Sequence, residues 1–280
     1  MRVARTVAEL RAFYRNERGR GISVGFVPTM GALHEGHLSL VRRARDAADL
    51  VVVSLFVNPL QFGPDEDFDS YPRDEGKDLA LAESEHVSVV FLPSVAEMYP
   101  EGAVTTVRVE GPLAETLEGA SRPGHFDGVA TVVAKLLNVV EPELAFFGQK
   151  DAQQVAVVRR MVLDLSWATE VVVGPTVREP DGLALSSRNA YLDTEQRTQA
   201  TALFRALNAG KEELERGAGP DGAAVAMQDV LGSADGVDLD YAAAVDPYTF
   251  EDPVEGEPVL LAVAARVGAT RLIDNFLVQP

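Results

Sequence analysis

The sequence predicts a doubly wound α/β fold, a parallel sheet covered by helices, followed by a smaller α+β domain. Three observations predict it. Short apolar runs alternate with stretches of helical period as far as residue 174. One run, "LVVVSLFV" (50–57), is apolar on both faces, as a strand with helices on each side must be. After Pro175 the rhythm breaks, and helical stretches give way to three strands with no helix between them.

Taken in order, "GISVGFVP" (21–28) reads as a strand, because the β-formers Val24 and Phe26 precede a Pro and Gly break. From Gly36 the spacing changes: Leu38, Val41, Ala44 and Ala48 form one apolar face at helical period. With strand 50–57 this makes a βαβ unit. The pattern continues as a helix near 75–85, strand 87–93, helix 128–140, strand 143–147, helix 151–165 and strand 169–174. A polar loop, "REPDGLALSSRN" (178–189), leads to one long helical stretch, 194–217, and a second helix near 220–232. Strands 237–245, 258–267 and 271–278 complete the chain. The expected domains are 1–176 and 177–280.

Composition narrows the function. The chain has no cysteine, which excludes disulfides, thiolate metal sites and a thiol nucleophile. Its net charge is −18, and both parts are acidic: residues 1–176 hold 17 basic and 25 acidic side chains, residues 177–280 hold 8 and 18. No basic stripe tracks a nucleic-acid backbone, so no nucleic-acid partner is expected. The longest apolar run is too short to cross a bilayer, so no membrane association is expected either. The first twenty residues have no apolar core of a secretory signal. A cytoplasmic location is the expectation. Lysine is scarce (Lys77, Lys135, Lys150, Lys211), so an anionic substrate would depend on few cations.

"VPTMGALHEGHLSLVRRA" (27–44) holds two of the four histidines, three apart, at a strand-to-helix turn. Three readings compete for His34 and His37. As a zinc site the pair is poor: the helical pattern needs histidines four apart, and no cysteine is available to complete a shell. As packed histidines in a turn they would be ordinary. As phosphate handlers they are well placed, since a glycine-flanked turn opening a helix aims backbone N–H groups and the positive helix end at an anion. Imidazole N–H groups there stabilise charge developing on phosphorus and on a departing pyrophosphate. Two further segments supply donors: "FFGQKD" (146–151), with Gly148 and Lys150 at a strand end, and "LSSRN" (185–189), with two hydroxyls and Arg188. Together the three provide what an ATP α-phosphate and its leaving pyrophosphate require.

With these segments in view, the chain resembles the pantothenate synthetases (pantoate–β-alanine ligases), members of the H-x-G-H nucleotidyltransferase superfamily. The resemblance runs nearly end to end, through "PTMGALHEGH" (28–37), "FVNPLQFG" (56–63), "YPR" (71–73), "RPGHFDGV" (122–129), "FFGQKDAQQ" (146–154), "PTVREPDGLALSSRN" (175–189) and "TRLIDN" (270–275). It implies a Rossmann-like sheet with a C-terminal lid, and ATP-dependent joining of pantoate to β-alanine through a pantoyl adenylate. It also implies a homodimer using Mg²⁺ with ATP. Met30, Gly31, Ala32, Leu33, His34, Glu35, Gly36 and His37 would form the ATP loop. Gly148, Gln149, Lys150 and Asp151 would meet the nucleotide, and Val177 with Leu185, Ser186, Ser187 and Arg188 would close over it. His34, His37, Lys150 and Arg188 would serve catalysis, while Gln61 and Gln154 would hold pantoate, Gln61 also lying near β-alanine.

Neutral amides suit that last task because they bind hydroxyls and a carboxylate without titrating. Two departures stand out. Leu185 replaces a more usual methionine, a swap that conserves volume. In "DEGKD" (74–78) Lys77 interrupts the acidic run near which relatives hold metal, which argues against a metal role for Asp78. Magnesium is expected on the ATP phosphates. Two other readings compete with this one. An enzyme transferring AMP to a phosphate ester needs extra cations, and residues 58–71 hold none. A nucleotide sensor without catalysis would not need all the candidate groups that are present.

Overall fold

The predicted alternation of strands and helices is realised as a parallel sheet, preceded by two elements that the apolar periodicity did not single out. The computed structural model describes residues 1–17, 21–64 and 66–279. The early elements are β1 (Arg2–Ala4) and α1 (Val7–Glu17). The βαβ unit follows as β2 (Val24–Thr29), α2 (Glu35–Ala47) and β3 (Leu50–Leu55). After it come α3 (Glu75–Ser84), β4 (Val89–Phe91) and three single-turn helices, α4 (Val95–Met98), α5 (Pro112–Glu115) and α6 (Glu118–Ser121). The long α7 (His125–Val140), then β5 (Leu144–Gly148), α8 (Ala152–Asp164) and β6 (Glu170–Gly174) complete this part.

Among the described residues the six strands are parallel, in the order β1-β4-β3-β2-β5-β6. From β2 the chain steps outward to β3 and β4, then returns to β5 and β6 on β2's other side. The order therefore reverses between β2 and β5, and a crevice outside their carboxyl ends is where such sheets bind ligands. The core on one face joins Val27, Val51, Val53 and Leu55 to Leu40, Val41 and Ala44 of α2, with Ala82 and Phe146. Gly25 lets α2 approach the sheet: a Cβ there would stand 3.2 Å from the methyls of Ala44 and Ala48.

The C-terminal part contains α9 (Thr194–Gln199), α10 (Ala202–Glu215), α11 (Gly219–Gly232), β7 (Val237–Val245), β8 (Val259–Val267) and β9 (Thr270–Val278). Its three strands pair antiparallel in sequence order. The single long helix expected over 194–217 is two helices. At the break the Thr201 N–H and hydroxyl both turn back to the Thr198 carbonyl, 3.2 and 2.7 Å away, which tightens the turn and competes with the helical ladder. Leu203, Ala206 and Leu207 of α10, with Met227 and Leu231 of α11, pack on Leu261, Val263 and Ala265 of β8.

Two compact units result, and they interleave in sequence. The first comprises 1–110, 122–148 and 157–174; the second comprises 111–121, 149–156 and 175–280. A single boundary near 176 therefore does not describe the division. The reason is a buried polar network. Gln153 accepts from the Glu118 N–H at 3.0 Å and donates to the carbonyls of Leu113 and Thr116 at 3.0 and 2.9 Å. The Glu118 carboxylate in turn receives Arg271 at 2.6 and 2.9 Å and the Tyr241 hydroxyl at 2.9 Å. Burial and the facing carboxylate push the Tyr241 phenol well above its ordinary value.

Candidate active site

In the first unit, β2 ends at Thr29 and the chain turns into α2 through Met30–His34. The Thr29 hydroxyl donates to the Ser54 carbonyl at 2.7 Å and accepts from the Gly31 N–H at 3.2 Å. Gly31 and Ala32 are left-handed, with φ of +88° and +50°. A Cβ on Gly31 would lie 2.9 Å from the Asp78 carboxylate, so this glycine is required twice over. Asp78, buried on α3, accepts the N–H groups of Ala32 at 2.9 Å and Leu33 at 2.7 Å, one on each oxygen. Burial pushes its carboxyl above the ordinary value, and the two N–H bonds oppose that.

The histidines close the turn by capping each other. His34 is the N-cap of α2, its Nδ1 accepting from the Gly36 N–H at 3.1 Å, while Nδ1 of His37 faces the His34 N–H at 3.4 Å. With Nδ1 an acceptor in both rings, the proton of each neutral imidazole sits on Nε2. The ring centroids are 4.1 Å apart, tilted by 34°. The mutual caps thus fix the orientation of both rings at the positive end of a helix.

The structure corrects one expectation. The N–H groups of Gly31, Ala32, Leu33, His34, Gly36 and His37 all bond within the turn or to Asp78, so they do not point together at an anion. Glu35, exposed, pairs with Arg42 on its own helix. Asp78 is a strut of the turn. Among the described residues no three His, Asp or Glu side chains gather as a metal cage.

Gln61 stands in a short 3-10 turn, Pro59–Gln61, in the same unit. Buried Asn58 organises it, donating to Gln61 Oε1 at 3.1 Å and to the Gly128 carbonyl at 3.0 Å, and accepting from the Tyr99 hydroxyl at 2.8 Å. Gln61 Nε2 reaches the Met30 sulfur at 3.2 Å, so the amide borders the histidine turn. The Gln61 carbonyl accepts from Arg122 at 3.2 Å and lies 2.8 Å from His125 Nδ1. Arg122 grips Glu66 with two bonds of 2.7 and 2.6 Å. Although burial pushes the Glu66 carboxyl up, Arg122 holds it below its ordinary value. Gly128 carries no side chain because a Cβ would collide with the Leu60 carbonyl. The stretch "RPGHFDGV" is thus the scaffold of Gln61, a role its sequence did not disclose.

Gly148 ends β5 opposite Gly174, with open space where a Cβ would be. The next residues, the 3-10 turn Gln149–Asp151, belong to the second unit. There the Lys150 ammonium is largely covered, and its carboxylate neighbour on Asp151 is a long 3.4 Å away. Gln154 is half-buried, one residue beyond Gln153. Val177 and Leu185 face each other across a small hairpin, the Leu185 N–H donating to the Val177 carbonyl at 2.9 Å. The Ser186 hydroxyl caps the following turn, Ser187–Tyr191, by accepting from the Arg188 N–H at 3.3 Å. Ser186 thereby serves as the cap of that turn. Two buried oxygens near these segments, the Thr176 hydroxyl and Asn189 Oδ1, have no partner among the described residues.

The structure therefore groups Met30–His37 with Gln61 in one unit, and Lys150, Gln154, Val177 and Leu185–Arg188 in the other. A family model described as pantoate-beta-alanine ligase matches residues 2–277. The pantothenate synthetase of Acidobacterium capsulatum is 57% identical over 293 residues, covering 99% of this chain and 97% of that protein. A crystal structure of pantothenate synthetase from Thermus thermophilus superposes with a TM-score of 0.94 at 53% identity, all of both chains being covered. The pantoate-beta-alanine ligase of Francisella tularensis, solved with beta-gamma ATP and beta-alanine, matches with a TM-score of 0.82 at 35% identity. That match covers 99% of this chain and 97% of that one.

Proposed function

Because the chain belongs to the pantoate-beta-alanine ligase family, we propose that its residues join (R)-pantoate to β-alanine through an enzyme-bound pantoyl adenylate. It is an ATP-dependent ligase. In the first step a pantoate carboxylate oxygen attacks the α-phosphorus of ATP, the α–β bridging bond breaks, and pyrophosphate leaves. In the second the β-alanine amine, having lost its proton, attacks the acyl carbon, and the C–O bond to AMP breaks.

The observation that carries this reading is the mutual capping of His34 and His37. Two Nε2–H donors, held rigid before substrate arrives, stabilise charge as it develops on the phosphates without reorganising. Lys150 and Arg188 add positive charge on the triphosphate, and loss of ordinary lysine hydration strengthens that interaction. Gln61 and Gln154 hold the pantoate hydroxyls and carboxylate. Mg²⁺ accompanies ATP and neutralises its phosphates. The second unit acts as a lid that excludes water from the hydrolysable adenylate.

A homodimer in the cytoplasm completes the proposal; no helix among the described residues is long and apolar enough to cross a membrane. The test is to supply ATP, Mg²⁺, pantoate and β-alanine. AMP, pyrophosphate and a new amide should appear in equal amounts, and AMP without amide would refute the ligase reading. Sedimentation of the pure protein reads the dimer directly.

A further inference from the structure

The stretch "TRLIDN" (270–275) takes no part in the chemistry just described, yet it puts two buried polar side chains side by side on β9. Adjacent residues of a strand face opposite sides, and these two hold different segments. Asp274 receives Arg178 through two bonds of 2.5 and 2.8 Å. The same guanidinium donates to the Gly182 carbonyl at 2.9 Å and lies 5.1 and 5.0 Å from the ring centres of Phe204 and Phe276. Asp274 thereby fixes the hairpin that carries Val177 and Leu185.

Asn275 turns to the segment that carries Lys150. Its amide nitrogen donates to the carbonyls of Gln149 at 3.0 Å and Lys150 at 2.8 Å. Its oxygen accepts from Gln149 Nε2 at 3.0 Å. Both amide hydrogens are thus spent on the backbone of one two-residue turn. No side chain but an amide of this length supplies two donors and an acceptor there. Asn275 is also absent from the apolar cluster that holds α10, α11 and β8 together.

We propose that Asn275 is a positioning residue for Lys150, fixing the Gln149–Asp151 turn so that the ammonium is delivered to the triphosphate. This rests on the reading of Lys150 as a phosphate donor. A misplacement of about 1 Å costs on the order of 10²-fold in rate, and three lost hydrogen bonds permit one.

The test is a double-variant cycle on the full chain, reading pyrophosphate formation from ATP, Mg²⁺ and pantoate. Asn275→Ala removes all three bonds. Asn275→Asp keeps the shape and replaces the donor by an oxygen facing two carbonyls, so one near-isosteric variant stays interpretable should the alanine variant unfold. Each should lower kcat by roughly 10- to 100-fold with little change in the KM for ATP. On a Lys150→Ala background, Asn275→Ala should add less than about twofold, because it acts through the group already removed. Full multiplication of the two losses, or wild-type kcat in both folded Asn275 variants, would overturn the proposal. Wild-type turnover in Lys150→Ala itself would remove the phosphate reading of Lys150 first, and the proposal with it.

Discussion

The histidine turn and the Lys150 turn both lead out of sheet strands into helices, yet they are held by opposite means. The histidine turn is largely self-contained: His34 and His37 cap each other across three residues, and Thr29 receives the Gly31 N–H two residues away. Its farthest support in the chain is Asp78, about 45 residues on. The Lys150 turn is held instead by Asn275, more than 120 residues later in the chain. The first set of donors is preorganised once α2 docks on its sheet. The second depends on the last strand of its own unit being in place.

The largest effects should come from the donors themselves. His37→Ala and Lys150→Ala should each reduce adenylate formation on the order of 10²–10³-fold. Melting of His37→Ala should move by about 1 kcal/mol at most, the usual size of a lost cap. His37→Asn sharpens the comparison, because it restores an acceptor for the His34 N–H without an Nε2–H. Recovered stability with activity still low is the expected result, and recovered activity would reduce His37 to a cap. Lys150→Arg should not rescue fully, since a planar guanidinium is not a compact ammonium.

Next in size is the support of the histidine turn. Asp78→Ala strands two N–H groups and should destabilise the protein by about 3 kcal/mol, with Asp78→Asn, which keeps one acceptor, losing about half as much. Chemical denaturation reads both. Equal losses would mean that the carboxylate does not serve the two N–H groups separately.

The smallest effect concerns the Gln61 scaffold. The Glu66 carboxyl is held below its ordinary value in the folded protein. Its stabilisation is therefore present above the unfolded value near 4.5 and lost as pH falls through the lower folded value. Glu66→Gln should cost about 1 kcal/mol at neutral pH, and the gap to wild type should close on acidification below pH 4.5. A gap that is constant with pH would assign the loss to packing.

These contrasts explain which parts of the molecule were legible in its sequence. The sheet was, because strands such as 50–57 are covered on both sides and must be apolar throughout. The spacing of the histidine pair is visible because the two residues that cap each other are three apart. The pair's detailed chemistry is not. A glycine-flanked turn suggests backbone donors, but Asp78 consumes two of them from a different helix, which periodicity does not register. The break at Thr201 was hidden for a related reason, since apolar spacing continues through it while a hydroxyl competes for the ladder. Arg122, Asn58 and Asn275 were invisible as supports because their bonds link segments about 60 to 126 residues apart. The interleaving of the two units has that origin too: Gln153, Glu118 and Arg271 meet only in the folded chain.

The central claim is that the enzyme activates pantoate as a non-covalently held adenylate, with no covalent intermediate on the protein. Rapid mixing with ATP, Mg²⁺ and pantoate, without β-alanine, tests it most directly. Pyrophosphate should appear in a burst of about one per active site, with the protein mass unchanged after denaturation and AMP released when β-alanine is added. A stable mass increase equal to a pantoyl group, or no pyrophosphate until β-alanine arrives, would contradict it.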